Sequence, residues 1–213
     1  MGETRVLFFW TSGVLLPALD AAVTEILPSF GIAGINPAAI SRYREMRDDL
    51  ALGRIDGQEF CQVAVRSLGI EGSPELFLKR MLSRLVLIPG VLDAVTRVKA
   101  EVDRWLVVDL PEAWFKELPS SQEVLLHFPP ERIICLEDSR LLRVLPDVFY
   151  YLPNRVQVPS EQCLLLDSDI KRTVHSINHG LPAAVVINPE RLRRELLMRR
   201  LIMQDYQIHQ RPV

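Results

Sequence analysis

The sequence predicts an α/β protein: a parallel sheet covered on both faces, with a block of helices inserted after the first strand. Two patterns carry this expectation. Five short apolar runs are spread along the chain, and helical patterns separate the later ones. Between the first and second runs lies a long stretch that reads as helix alone.

The first run, Val6-Leu7-Phe8-Phe9-Trp10, is apolar at every position, as a strand buried on both faces requires. The apolar character continues to Leu19, much as in the core of a signal peptide. Yet only Arg5 precedes it, Glu3 lies beside it, and Pro17 and Asp20 interrupt it before any cleavage signal, so a buried strand and a turn are expected. It is too short to span a bilayer, and no other stretch reaches that length. From Ala18 to about Leu87 the chain reads as helix. Asn36 is placed to cap a helix opening at Pro37, Asp56 to cap one running to Leu68, and Ser73-Pro74-Glu75 opens another with cap, proline and acid in order.

The second run is Trp105-Leu106-Val107-Val108 and the third Arg132-Ile133-Ile134-Cys135-Leu136. Cys163-Leu164-Leu165-Leu166 and Ala183-Ala184-Val185-Val186-Ile187 follow. Helices are expected over residues 91–102, 112–118, 147–152 and 170–179. Residues 189–203 set Arg191, Arg193, Arg194, Arg199 and Arg200 among leucines. This is either a last surface helix docking its leucines on the sheet or a basic face for a membrane or an acidic partner. The expected division is residues 1–17 and 86–204 as the α/β core, 18–85 as a helical cap, and 205–213 as a C-terminal tail.

The 213 residues are 48% hydrophobic and 24% charged with a formal charge of −2, which excludes a disordered chain and gives no footing for a nucleic-acid partner. Cys61, Cys135 and Cys163 are widely spaced and form no CxxC pair. Neither a disulfide framework nor a zinc site is indicated, and a reducing, cytoplasmic location is the simpler expectation.

The order of parts resembles one family. Arg5-Val6-Leu7-Phe8-Phe9-Trp10-Thr11-Ser12-Gly13-Val14-Leu15 is similar to the first-strand signature of the haloacid-dehalogenase-like hydrolases, hydrophobics followed by D-x-D-G-[TV]-L. The helical insert with Leu52-Gly53-Arg54-Ile55-Asp56-Gly57-Gln58-Glu59-Phe60 resembles that family's C1-type cap. Ile88-Pro89-Gly90-Val91 resembles the return to its core, and Pro111-Glu112-Ala113-Trp114 the stretch after its second motif. Val144-Leu145-Pro146-Asp147-Val148-Phe149 is similar to its K-P-D-x-x-F segment, and residues 158–168 to its P-E-x-C-L-x-x-D-D run. The likeness covers residues 5 to about 196 and implies a Rossmann-like core with an inserted helical cap.

The same resemblance implies a chemistry that these residues do not carry. The family attacks a phosphoryl group or a halogen-bearing carbon with an aspartate carboxylate, and its phosphatases use a second aspartate two residues later as acid and base. A hydroxyl after strand two and a lysine hold the transferred group, and Mg²⁺ binds the nucleophile, a backbone carbonyl and an acid after strand four. Anchored on Gly13-Val14-Leu15, the nucleophile position is Trp10 and the acid/base position Ser12. The hydroxyl falls at Val108, or at Asp109 with a one-residue slip, and the lysine at Leu145. Indole has no lone pair for attack and cannot ligate a hard cation. Val108 and Leu145 leave little to neutralise charge in a phosphoryl-transfer transition state. No catalytic residue and no cofactor are therefore expected, Mg²⁺ belonging only to an atypical hydrolase.

What remains has two readings throughout. Asp109, Asp167 and Asp169 follow strands, where α/β proteins bind ligands. They form a residual acidic pocket, with Thr11, Asp109 and Asp167 as its members and Asp167 and Asp169 as metal candidates, or they cap turns and helices. Thr11 and Ser12 have no recognisable base nearby and suit a turn. His175 and His179 share a helix face, as metal ligands or as surface histidines. Leu142, Leu145 and Trp10 suggest an apolar, closed cleft mouth, suited to a partner or to plain core packing. The expected function is a non-catalytic binding or interaction scaffold, a regulatory subunit or small-ligand binder, for an unidentified protein or small molecule. A second copy of the chain, joined through the cap, is a candidate partner. The alternative is a weak or atypical hydrolase acting on a small molecule.

Overall fold

The computed structural model describes residues 3–34, 37–137 and 145–203. Five parallel strands form one sheet in the order β3-β2-β1-β4-β5, with β1 Val6–Trp10, β2 Asp103–Val108, β3 Ile133–Cys135, β4 Cys163–Asp167 and β5 Ala183–Val185. Each expected run is thus a strand. β1 is central and all five of its residues are buried, because helices cover both faces and parallel strands need such cover. Phe8 is level with Trp105 on one side and Leu165 on the other. The chain steps from β1 through β2 to β3, then crosses back to β4. Strand order therefore reverses between β1 and β4, and the crevice outside their carboxyl ends is where such sheets bind ligands.

Between β1 and β2 the described residues are helical, as expected. They hold α1 Leu19–Ile26, α2 Pro37–Ala51, α3 Gly57–Leu68, α4 Pro74–Leu82 and α5 Val91–Thr96. Asp56 accepts the N–H of Glu59 at 2.7 Å and Ser73 that of Leu76 at 3.2 Å, so both expected caps form. Asn36, the third, lies outside the described residues. The insert is fastened to the sheet by Trp114. Its ring meets Phe60 edge-on at 5.8 Å and lies so close to Gly57 that a Cβ there would fall 2.7 Å from it.

The helix expected over residues 91–102 ends at Thr96. Val98 instead bridges Ile202, and the Lys99 N–H donates to the Leu201 carbonyl, so the C-terminal segment takes the groups that a longer helix would use. After β2 come α6 Glu112–Glu117 and α7 Ser121–His127, the latter not anticipated. α8 Leu145–Val156 runs past its expected end at residue 152 with Pro153 inside, and α9 Ile170–Asn178 follows β4. The last helix, α10 Pro189–Met198, docks Leu192 and Leu196, and the chain then turns through a left-handed Arg200 at φ 59° to bury Leu201 and Ile202. The tail from residue 204 on is outside the described residues.

α9 reverses the usual arrangement. Thr173 and Ser176 face inward, where their hydroxyls donate to the Asp169 and Leu181 carbonyls, while Ile170, Val174 and Ile177 face solvent. None of the three cysteines is in a disulfide. Burial pushes the Cys61 thiol up to about 12 and the Cys163 thiol up to about 11, which keeps both protonated.

Candidate functional site

The carboxyl edge of the sheet and α2 enclose a cavity of about 250 Å³. Its floor comes from the loops after β1, β2 and β4: Trp10, Ser12, Asp109, Ser168, Asp169 and Arg172. Its roof comes from the insert: Leu19, Arg47, Asp48 and Leu52 among others. The lining mixes Arg47, Asp48, Asp109, Asp169 and Arg172 with apolar Trp10, Leu19 and Leu52, and Trp10 is the member of the expected apolar mouth that it contains. Leu142 lies outside the described residues, and Leu145 opens α8.

The loop after β1 is set by Gly13, at φ 87°, a conformation that side chains with a Cβ rarely adopt. The Thr11 carbonyl accepts the N–H groups of Leu15 and Leu16, closing the turn. Trp10 is fully buried, and its indole N–H donates to Asp109 Oδ2 at 2.7 Å. The other oxygen of Asp109 accepts from the Ser12 hydroxyl at 2.8 Å and the Ser12 N–H at 3.2 Å. Thr11 turns away and donates to the Val107 carbonyl at 2.8 Å, so it takes no part in the cavity.

These contacts revise two expectations. A carboxylate does stand within hydrogen-bond reach of Ser12. Asp109 is also not a helix cap: α6 begins without a side-chain cap, and the Glu112 N–H donates to Glu137 Oε2 at 2.9 Å. Val108 is the buried last residue of β2, level with Cys135, and the side chain reaching the cavity is Asp109.

Asp167 ends β4 fully buried beneath Arg172. The guanidinium grips it with two bonds, Nε to Oδ2 and Nη2 to Oδ1, the latter at 2.7 Å, and the Asp169 N–H adds a third to Oδ1 at 3.0 Å. The same guanidinium stacks over the Trp10 ring, its Cζ 4.3 Å from the centre. Burial pushes the Asp167 carboxyl above its ordinary value, with the Arg172 bonds pulling it back. Burial also works against the charged Arg172, but Asp167, Asp109 and Asp169 outweigh it and hold the proton more tightly than usual.

Asp169 caps α9 by accepting the Arg172 N–H at 3.0 Å. Burial opposes its charge, yet the N–H groups of Arg172 and Lys171 and the nearby Arg172 and Arg47 charges bring its carboxyl below the usual value. A depressed carboxyl adds stability above its unfolded value, about 3.9, and the gain is lost as pH falls through the lower folded value. Asp169→Ala is expected to cost about 1 kcal/mol at neutral pH. Urea unfolding should show the gap to wild type narrowing as pH is lowered toward about 2.5.

The Mg²⁺ implied by the resemblance does not fit these residues. The nucleophile position offers an indole, the second acid position is Ser168, and both oxygens of Asp167 face Arg172. Among the described residues no three His, Cys, Asp or Glu side chains converge as metal ligands. His175 and His179 stack at 6.4 Å, with His179 Nδ1 on the His175 carbonyl at 2.7 Å.

No family model matches the chain, and no curated protein matches it in sequence. Solved structures do match. A HAD family enzyme from Bacteroides thetaiotaomicron superposes with a TM-score of 0.67 at 13% identity, over 86% of this chain and 94% of that one. A predicted HAD-like family hydrolase from Porphyromonas gingivalis gives 0.66 at 17% identity, over 95% and 100%. The chain has the haloacid-dehalogenase-like hydrolase fold. L-2-haloacid dehalogenase from Xanthobacter autotrophicus, with chloropropionic acid covalently bound, gives 0.65 at 15% identity over 94% and 85%. The crevice at the strand-order reversal is lined by Trp10 and Asp109, whereas Asp167, expected as a pocket member, is buried beneath Arg172 and lies outside the lining. No helix among the described residues is long and apolar enough to cross a membrane.

What the sequence missed at this site is Arg172. Nothing local in the sequence shows that it folds back on Asp167 five residues earlier. Its place in the first turn of α9 was the available signal. A cation at a helix N-terminus is unfavourable unless a nearby carboxylate holds it.

Proposed function

We propose that this chain uses the haloacid-dehalogenase-like fold without its hydrolytic chemistry, as a binding or interaction scaffold. The observation that carries the reading is Trp10 at the nucleophile position, fully buried, with its N–H committed to Asp109. An indole cannot attack, and here it cannot swing aside without breaking that bond and the stack with Arg172. Three donors on the floor are spent in the same way. The Trp10 N–H, the Ser12 N–H and the Ser12 hydroxyl all point at Asp109, so none is left preorganised for a developing oxyanion.

The scaffold reading takes residues 18–85 as a cap over the cleft and calls for no Mg²⁺ or other cofactor. A small molecule in the 250 Å³ cavity or a protein would be the partner, and a second copy of the chain is a candidate. The outward Ile170, Val174 and Ile177 of α9 are side chains of the kind that partner surfaces use. A net charge of −2 argues against nucleic acid, and three cysteines outside any disulfide are in keeping with a cytoplasmic site.

One observation favours an atypical hydrolase. Ser12 lines the cavity and donates to Asp109 at 2.8 Å, which has the outline of a nucleophile and its base. Asp109 is poorly free for that purpose, because its two oxygens already accept from the indole and from the Ser12 N–H.

Turnover of a generic aryl phosphate and an aryl ester, with and without Mg²⁺, separates the two readings. Wild type, Ser12→Ala and Asp109→Asn are expected to give the same rate as buffer. Turnover in wild type that is lost in both variants would overturn the scaffold reading.

A further inference from the structure

We propose that Arg172 is a built-in cation: its guanidinium permanently fills the place between Asp167 and Trp10, so that the cleft floor needs no dissolved metal ion and is specific for a guanidinium. The inference rests on the non-catalytic reading of the cleft and adds what holds the cleft together.

Three features of the geometry carry it. The first is the fork: Nε and Nη2 each take one oxygen of a carboxylate with no solvent exposure, a planar match that an ammonium or a spherical ion does not reproduce. The second is the stack on Trp10, with Cζ 4.3 Å from the ring centre. A flat cation fits between an indole face and a carboxylate, whereas a hydrated Mg²⁺ demands an octahedral shell of oxygens. The third is position. Arg172 lies in the first turn of α9, where the helix field disfavours a cation, so the side chain is there on account of Asp167 and Asp169. Its own N–H is capped by Asp169 while its side chain turns back to Asp167, which fixes backbone and guanidinium together.

The site should then accept a guanidinium supplied from solution once its own is removed. In Arg172→Ala, Asp167 loses its partner and a flat hole opens on Trp10. The variant is expected to melt lower than wild type by roughly 6–20 °C, the range for a broken buried pair in a chain of this size. Methylguanidinium at about 10 mM, well below denaturing concentrations, should raise the melting temperature of the variant saturably and leave wild type unchanged. MgCl₂ should stabilise neither. Arg172→Lys keeps the charge but not the fork, and serves if the alanine variant does not fold. It is expected to melt clearly below wild type.

Three results would overturn the proposal: rescue of Arg172→Ala by MgCl₂ as good as by methylguanidinium, no rescue by methylguanidinium, or Arg172→Lys as stable as wild type. The outcome is separable from the scaffold reading. A wild type that turns nothing over yet gains stability with MgCl₂ keeps the scaffold and discards the built-in cation.

Discussion

Trp10→Ala is expected to lower stability by about 3–5 kcal/mol, as for a large aromatic removed from a tightly packed core. Trp10 is wholly buried at the end of the central strand, so its loss leaves a void that the rigid sheet cannot close. Two further contacts go with it. Asp109 loses one of three donors, and Arg172 loses the ring on which it stacks. Trp10→Phe keeps most of the volume and the stacking face but removes the N–H, and about 1–3 kcal/mol is expected. Urea unfolding of the three proteins checks both values. A Trp10→Ala protein as stable as wild type would show that the indole is not a structural part of the floor.

Gly13→Ala is expected to cost about 3 kcal/mol, from two sources. A residue with a Cβ is strained at φ 87°, by roughly 1–3 kcal/mol. The added carbon would also fall 1.8 Å from Ser168 Oγ and 2.8 Å from Ser168 Cβ, an overlap that forces the first and fourth loops apart. The two sources can be told apart. Ser168→Gly in the same chain removes the overlap and leaves the strain, so part of the loss should return and the two substitutions should be non-additive. Full additivity in denaturant unfolding would mean that the loops already part without cost.

The fold was legible in the sequence because burial leaves a plain mark. A central parallel strand has no solvent face, so Val6 to Trp10 can only be apolar, and the helix caps at Asp56 and Ser73 are local signals that tertiary contacts did not override. Trp10 and Ser12 were legible as departures from the signature that the first strand and its loop resemble. Asp109 was not. Its three donors come from residues 97 and 99 positions away, and no local pattern tells a capping carboxylate from one that closes a cleft floor. The outward isoleucines of α9 and the early stop of α5 share this cause. Arg172, Thr173 and Ser176 are drawn inward by polar partners, and Val98 and Lys99 are claimed by Ile202 and Leu201, so long-range contacts outweigh periodicity.

The proposed scaffold role and the retained fold meet at one physical condition: Trp10, Ser12 and Arg172 direct their donors at Asp109 and Asp167 on the floor of the cleft. Calorimetric titration of the wild-type protein with MgCl₂ and inorganic phosphate, singly and together up to about 10 mM, tests this most directly. The expected result is no saturable heat from either ion, since the donors are spent on Asp109 and the oxygens of Asp167 on Arg172. Saturable phosphate binding that requires Mg²⁺ would contradict it.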